Sequence, residues 1–139
     1  MNIEELVFFA QKVRMLLENR VSSHLPYTPF NEFPHGCCSD ASAILSALLK
    51  EVKQVHTVVV SWDCGQSGLI DSHAWVELND TCIDITLDQF NTADNPQYLP
   101  VYVGRKNNLH QNYEKGERCS VTSPGWLPSV VDDLKKLFP

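Results

Sequence analysis

Apolar residues at the start of the chain recur at helical spacing. Ile3, Leu6, Val7, Ala10, Val13 and Leu17 form a stripe, with Glu4, Glu5, Gln11, Arg14 and Glu18 largely off it. The pattern predicts an amphipathic helix over 3–18. Residues 21–34 hold Pro26, Pro29 and Pro34 among serines and an asparagine, which predicts a loop. A second helix is expected from about Cys38 to Val52. There Ala41, Ile44, Leu45, Leu48, Leu49 and Val52 make a near-continuous apolar stripe that must pack on a sheet.

The periodicity then changes. Residues 55–62, centred on Val58-Val59-Val60, predict a strand, and the glycine-bearing, polar stretch 63–71 predicts a loop. Residues 73–78 and 81–86 alternate and flank Asn79-Asp80, a pair that tolerates positive φ, so they predict a hairpin. Residues 88–97 are polar, and 99–103 suggest another strand. Residues 107–123 have no clear period. Val130, Val131, Leu134, Leu137 and Phe138 suggest a short terminal helix started after Pro128-Ser129. Helices followed by consecutive antiparallel strands indicate an α+β fold in a single domain over residues 1–139, a length that suits one core.

Composition narrows the function. Apolar residues at 43% and charged residues at 20% describe an ordinary globular chain. A net charge of −6, with no cluster of Lys and Arg, argues against nucleic acid as a partner. No apolar run approaches a membrane span, and the start Met1-Asn2-Ile3-Glu4-Glu5 lacks a signal peptide's basic opening. A cytoplasmic protein is expected. An effector exported by a machine that reads no N-terminal signal would begin the same way. The five cysteines, Cys37, Cys38, Cys64, Cys82 and Cys119, are an odd, irregular set that suits a reducing compartment better than a disulfide framework. No Cys-x-x-Cys pair exists, so no metal site and no cofactor is expected.

Candidate chemistry concentrates in three stretches. Cys38 follows Gly36 and opens the second helix, where partial positive charge favours a thiolate and a free backbone N–H can serve an oxyanion. Cys37 competes for this role or borders the cleft, and the Gly-x-Cys spacing favours Cys38. The bland alternative is that both cysteines are small buried hydrophobes. His73 lies on the first hairpin strand and Asp84 on the second. With Asn79-Asp80 as a two-residue loop, Leu78 faces Thr81 and Trp75 faces Asp84. His73, Trp75 and Glu77 then share a face with Cys82, Asp84 and Thr86. Asp84 becomes the diagonal neighbour of His73, with Cα atoms on the order of 7–8 Å apart. A three-residue loop would put the two on opposite faces. Taken singly, each residue is more often a hydrogen-bonded strand or turn residue; together with a helix-opening cysteine they fit a nucleophile, a base and its orienter.

Gly36-x-Cys38-x-Asp40-Ala41, His73-Ala74-Trp75-Val76-Glu77 and Ile83-Asp84 resemble the core of the transglutaminase-like superfamily, within the wider papain-like set of cysteine enzymes. The resemblance covers roughly residues 30–105. It implies a nucleophile helix packed on an antiparallel sheet, with Cys38 as nucleophile, His73 as base and Asp84 as orienter. It also implies a thioester route on a peptide or protein substrate. Family activities include peptidases, deamidases and amine-transferring enzymes, and hydrolysis is the better expectation because nothing marks an amine-acceptor site. A non-catalytic binding module on the same scaffold is the alternative.

Secondary candidates follow. Gln89 could aim its amide at an oxyanion or occupy a turn. Trp75 either walls a substrate cleft or packs on the sheet. Asp88 is the orienter if Asp84 faces the core. His35 and His56 are expected to be structural or exposed.

Overall fold

The computed structural model describes residues 1–63 and 72–139; the expected loop, with Cys64, lies outside the described residues except at Asp63. The first helix, α1 (Ile3–Glu18), starts where Asn2 caps the backbone N–H of Glu5 at 2.8 Å, with Glu4 and Glu5 in the first turn. Both features favour that end of the helix dipole. Its buried face is turned from the expected stripe. Ile3 is half exposed, whereas Phe9, Arg14 and Leu16 are buried. The proline-bearing loop contains one helical turn, α2 (Tyr27–Phe30), which plants Phe30 in the core. The second long helix, α3 (Cys38–Lys53), buries Ala41, Ile44, Leu45, Leu48 and Leu49, as the periodicity predicts.

Strand β1 (Val58–Asp63) begins three residues later than expected. The hairpin forms from β2 (Ser72–Leu78) and β3 (Thr81–Asp84), with Asn79 at φ 53° in the turn. Its register pairs Leu78 with Thr81, Glu77 with Cys82 and Val76 with Ile83, which is the two-residue-loop pairing. Strand β4 (Tyr102–Gly104) joins β3. Helix α4 (Asn108–Tyr113) and strand β5 (Glu117–Cys119) occupy a segment where no periodicity was visible. The last helix, α5 (Leu127–Lys135), starts at Leu127, so Pro128 sits inside its first turn, where a missing N–H costs nothing. The strands form one sheet in the order β4-β3-β2-β1-β5, with every neighbouring pair antiparallel. The fold is α+β.

Strand alternation divides the sheet between two cores. Val76, Ile83 and Ile85 pack with α1, α3 and α5 in the larger one. Trp75, Cys82 and Val60 lie in the smaller one with Leu87, Leu109 and Tyr113, which come from α4 and the 3-10 turn Leu87–Phe90. The His73 face is therefore roofed rather than open along its length.

One ion pair joins the two ends of this frame. Arg14 of α1 donates to both carboxylate oxygens of Asp88 at 2.7 and 2.8 Å, and also to the Ile85 carbonyl at 2.7 Å. Asp88 thus holds the turn after β3 against α1, and its geometry is that of a bidentate fork. It is not an orienter for His73. Replacing Arg14 would strand a largely buried carboxylate and a backbone acceptor. Arg14→Ala should lower unfolding free energy by about 3 kcal/mol in urea titrations, and Arg14→Lys, which cannot form the fork, should recover little of it.

Candidate active site

The backbone before α3 turns at Gly36, whose φ of 73° lies in the left-handed region that glycine adopts without strain. This turn sets Cys37 at the N-cap and Cys38 as the first helical residue. The two thiols differ. Cys37 is 2% exposed, its Sγ donates to the Pro34 carbonyl at 3.5 Å, and burial pushes the thiol up to about 12. Cys38 is half-buried, and its thiol lies close enough to His73 to help raise the pKa of the imidazole. Cys37 neither borders an open cleft nor offers a reactive thiol. Cys38 is the member of the pair that meets the histidine.

On the sheet, the diagonal relation of His73 and Asp84 brings their side chains together. His73 Nε2–H donates to Asp84 Oδ2 at 2.6 Å. The other carboxylate oxygen accepts from the Thr86 backbone N–H at 3.0 Å and from its hydroxyl at 3.5 Å. Since Nε2 serves Asp84, Nδ1 is the ring nitrogen left for other partners, and Gln89 Nε2 lies 3.3 Å from it. One nitrogen of the imidazole is oriented by a carboxylate, the other faces an amide, and a thiol lies nearby.

Burial works against charge on both partners, yet each partner's charge prevails. For His73, burial disfavours the imidazolium, but the Asp84 carboxylate outweighs it and raises the pKa above the usual value. For Asp84, burial would raise the pKa, but the charge and N–H bonds of His73 and His110 hold it below the ordinary carboxylate range.

His110 was not foreseen. Its Nε2–H donates to Asp84 Oδ2 at 2.8 Å, on the same oxygen that His73 uses. Its Nδ1 accepts the backbone N–H of Asn107 at 3.2 Å, and its own N–H donates to Asn107 Oδ1 at 3.1 Å, a capping box at the start of α4. The Asn107–His110 spacing was the available signal, but the short helix carries no hydrophobic period to draw attention to it.

The remaining candidates are placed as follows. Trp75 is fully buried, packs against His73 and His110, and donates from Nε1 to Glu77 at 3.1 Å. It supports the site from beneath and walls no cleft. Gln89 is buried with its amide between His73 Nδ1 and Thr86 Oγ1. His35 and His56 are exposed. Trp62 lies opposite His73 in the β1–β2 register, and its Nε1–H is buried without a hydrogen-bond partner among the described residues.

His73, Asp84 and His110 offer two imidazoles and a carboxylate with ligand atoms within 4.8 Å of one another, a donor set suited to a divalent metal. Their contacts of 2.6 and 2.8 Å are, however, N–H···O hydrogen bonds. A metal with bonds of about 2.0–2.2 Å would have to replace both ring protons and spread the three groups apart. The donors fit a metal in kind, but their spacing is that of a hydrogen-bonded cluster.

No protein-family model, curated protein or solved structure matches the chain. Among the described residues, no helix is long and apolar enough to cross a membrane.

The pair also sets a pH dependence. Asp84, with its pKa depressed, contributes stability above about pH 4 that is lost as pH falls further. His73, with its pKa raised, contributes stability that is complete below about pH 6.5 and is lost as pH rises from there through about 10. Urea midpoints should therefore be highest between about pH 4 and 6.5. Asp84→Asn should be less stable throughout and should lose the decline on the alkaline side.

Proposed function

We propose that the protein is a cysteine hydrolase acting on peptide or protein amides, with Cys38 as nucleophile, His73 as base and Asp84 as orienter. The transglutaminase-like character of its motifs and a papain-like arrangement of helix and sheet belong to this reading. One observation carries it: His73 is held by Asp84 through Nε2 at 2.6 Å and has the Cys38 thiol close enough to raise its pKa. A histidine that served packing alone would have no need of both partners.

The chemistry runs in two halves. The proton drawn from Cys38 rests on His73 Nδ1, so sulfur attacks the amide carbonyl as a thiolate beside the imidazolium, and the oxygen becomes an oxyanion. Backbone N–H groups at the start of α3 are free to stabilise it, as at any helix N-terminus. The carbon–nitrogen bond breaks, His73 returns the proton to the leaving amine, and a thioester remains on Cys38. Water then attacks, giving its proton to His73. The acid departs and the thiol is restored. Asp84 stays ionised throughout and stabilises the imidazolium. A primary amine replacing water would make the same site a transglutaminase.

The complete burial of His73 favours a second reading, a non-catalytic binding module that keeps these residues as a polar core. Alkylation separates the two. At neutral pH, iodoacetamide should label Cys38 ahead of every other cysteine, and His73→Ala should slow that labelling by about 100-fold. Labelling spread evenly over Cys38, Cys64 and Cys119, unchanged in His73→Ala, would favour the binding module.

A further inference from the structure

Asp84 receives more than an orienting carboxylate needs. An ionised carboxylate has about four acceptor sites, and here Thr86 supplies two donors to Oδ1 while both imidazoles converge on Oδ2. The two rings are nearly parallel, at 18° with centroids 6.1 Å apart, and Trp75 packs against each. His110 and His73 are both fully enclosed. Helix α4 already has apolar anchors in Leu109 and Tyr113, so docking it does not require a second buried imidazole on this oxygen.

The tautomer of His110 is fixed from outside the cluster. The backbone N–H of Asn107 occupies Nδ1, which leaves the ring proton on Nε2, aimed at Asp84. A hydrogen-bonded path therefore runs from the N-terminus of α4 through His110 and Asp84 to His73, whose imidazole has the Cys38 thiol nearby. With Thr86 on one oxygen and His110 on the other, the carboxylate plane is set independently of His73. Oδ2 is thereby held on the line that keeps the His73 ring near the thiol.

We propose that His110 is a positioning residue for the Cys38–His73 pair, acting through the shared Oδ2 of Asp84. The inference rests on the cysteine-hydrolase reading. It adds that reactivity at Cys38 depends on a helix from the opposite side of the sheet. Among the described residues, the ionisable groups around His73 are Cys38 from α3, Asp84 and Cys82 from β3, and His110 and Tyr113 from α4.

The test compares His110→Gln with His110→Leu, after thermal melts establish that each is folded. Glutamine keeps an N–H donor near the Nε2 position, and leucine fills the space without one. The pH profile of Cys38 alkylation by iodoacetamide is the readout. His110→Gln should retain the profile to within about twofold, whereas His110→Leu should displace it and slow labelling at neutral pH by on the order of tenfold to a hundredfold. Equal losses of melting temperature with wild-type profiles in both would overturn the proposal and leave a structural role.

Should the leucine variant fail to fold, nitrogen-15 NMR of the wild-type histidine rings gives the answer. The proposal expects the Nε2–H tautomer at His110 and a change in that signal when Cys38 is alkylated. The Nδ1–H tautomer, or a signal indifferent to alkylation, overturns it. Failure of the underlying reading is distinct: Cys38 labelling would then be independent of His73, whatever stands at position 110.

Discussion

A carboxylate closed off from water must find donors within the protein, and Asp84 organises its surroundings around that requirement. An isolated buried charge of this kind would neutralise or unfold the strand that carries it. Four hydrogen bonds prevent this, and they come from three places in the chain: the strand residue His73, the turn residue Thr86 and the helix residue His110. Each donor is fixed by a different element. The site is therefore as rigid as the agreement between β2, the turn after β3, and α4.

The rest of the frame brings those elements into register. The two-residue hairpin turn sets β2 against β3 so that His73 and Asp84 are diagonal neighbours. Arg14 reaches from α1 to clasp Asp88, four residues past Asp84, and so restrains the turn that presents Thr86 and Gln89. On the opposite side of the sheet, the apolar stripe of α3 seats the helix whose first residue is Cys38. Sheet packing brings the thiol to the helix end, and hairpin register brings the imidazole to meet it. Neither determinant would assemble the pair without the other.

Parts of this arrangement were legible in the residues alone. The stripe of α3, the positive φ at Asn79 and the alternation of the hairpin are local properties, and from them the pairing of His73 with Asp84 followed. Spacing favoured Cys38 over Cys37 as the candidate thiol, and Cys37 is buried against the Pro34 carbonyl. What escaped depends on partners distant in sequence. Arg14 lies off the hydrophobic stripe, yet it is buried because its guanidinium meets Asp88 and two backbone carbonyls. A packed sheet tryptophan was the favoured expectation for Trp75, but the roof formed by α4 and the 3-10 turn, which encloses it, was not visible. His110 belongs to a six-residue helix too short to show a period, and its meaning comes from one oxygen of a residue on another strand.

The central claim is that Cys38, His73 and Asp84 act as one chemical unit, and an acyl group placed on the thiol tests it directly. Incubation with an activated ester, followed by intact-mass and peptide mass spectrometry over time, reports both formation and loss of the thioester. A single acyl adduct, located on Cys38, should form and then disappear by hydrolysis, and it should be strongly diminished in Asp84→Asn. Acylation of Cys37 or Cys119 instead, or of Cys38 at a rate indifferent to Asp84, would contradict that claim.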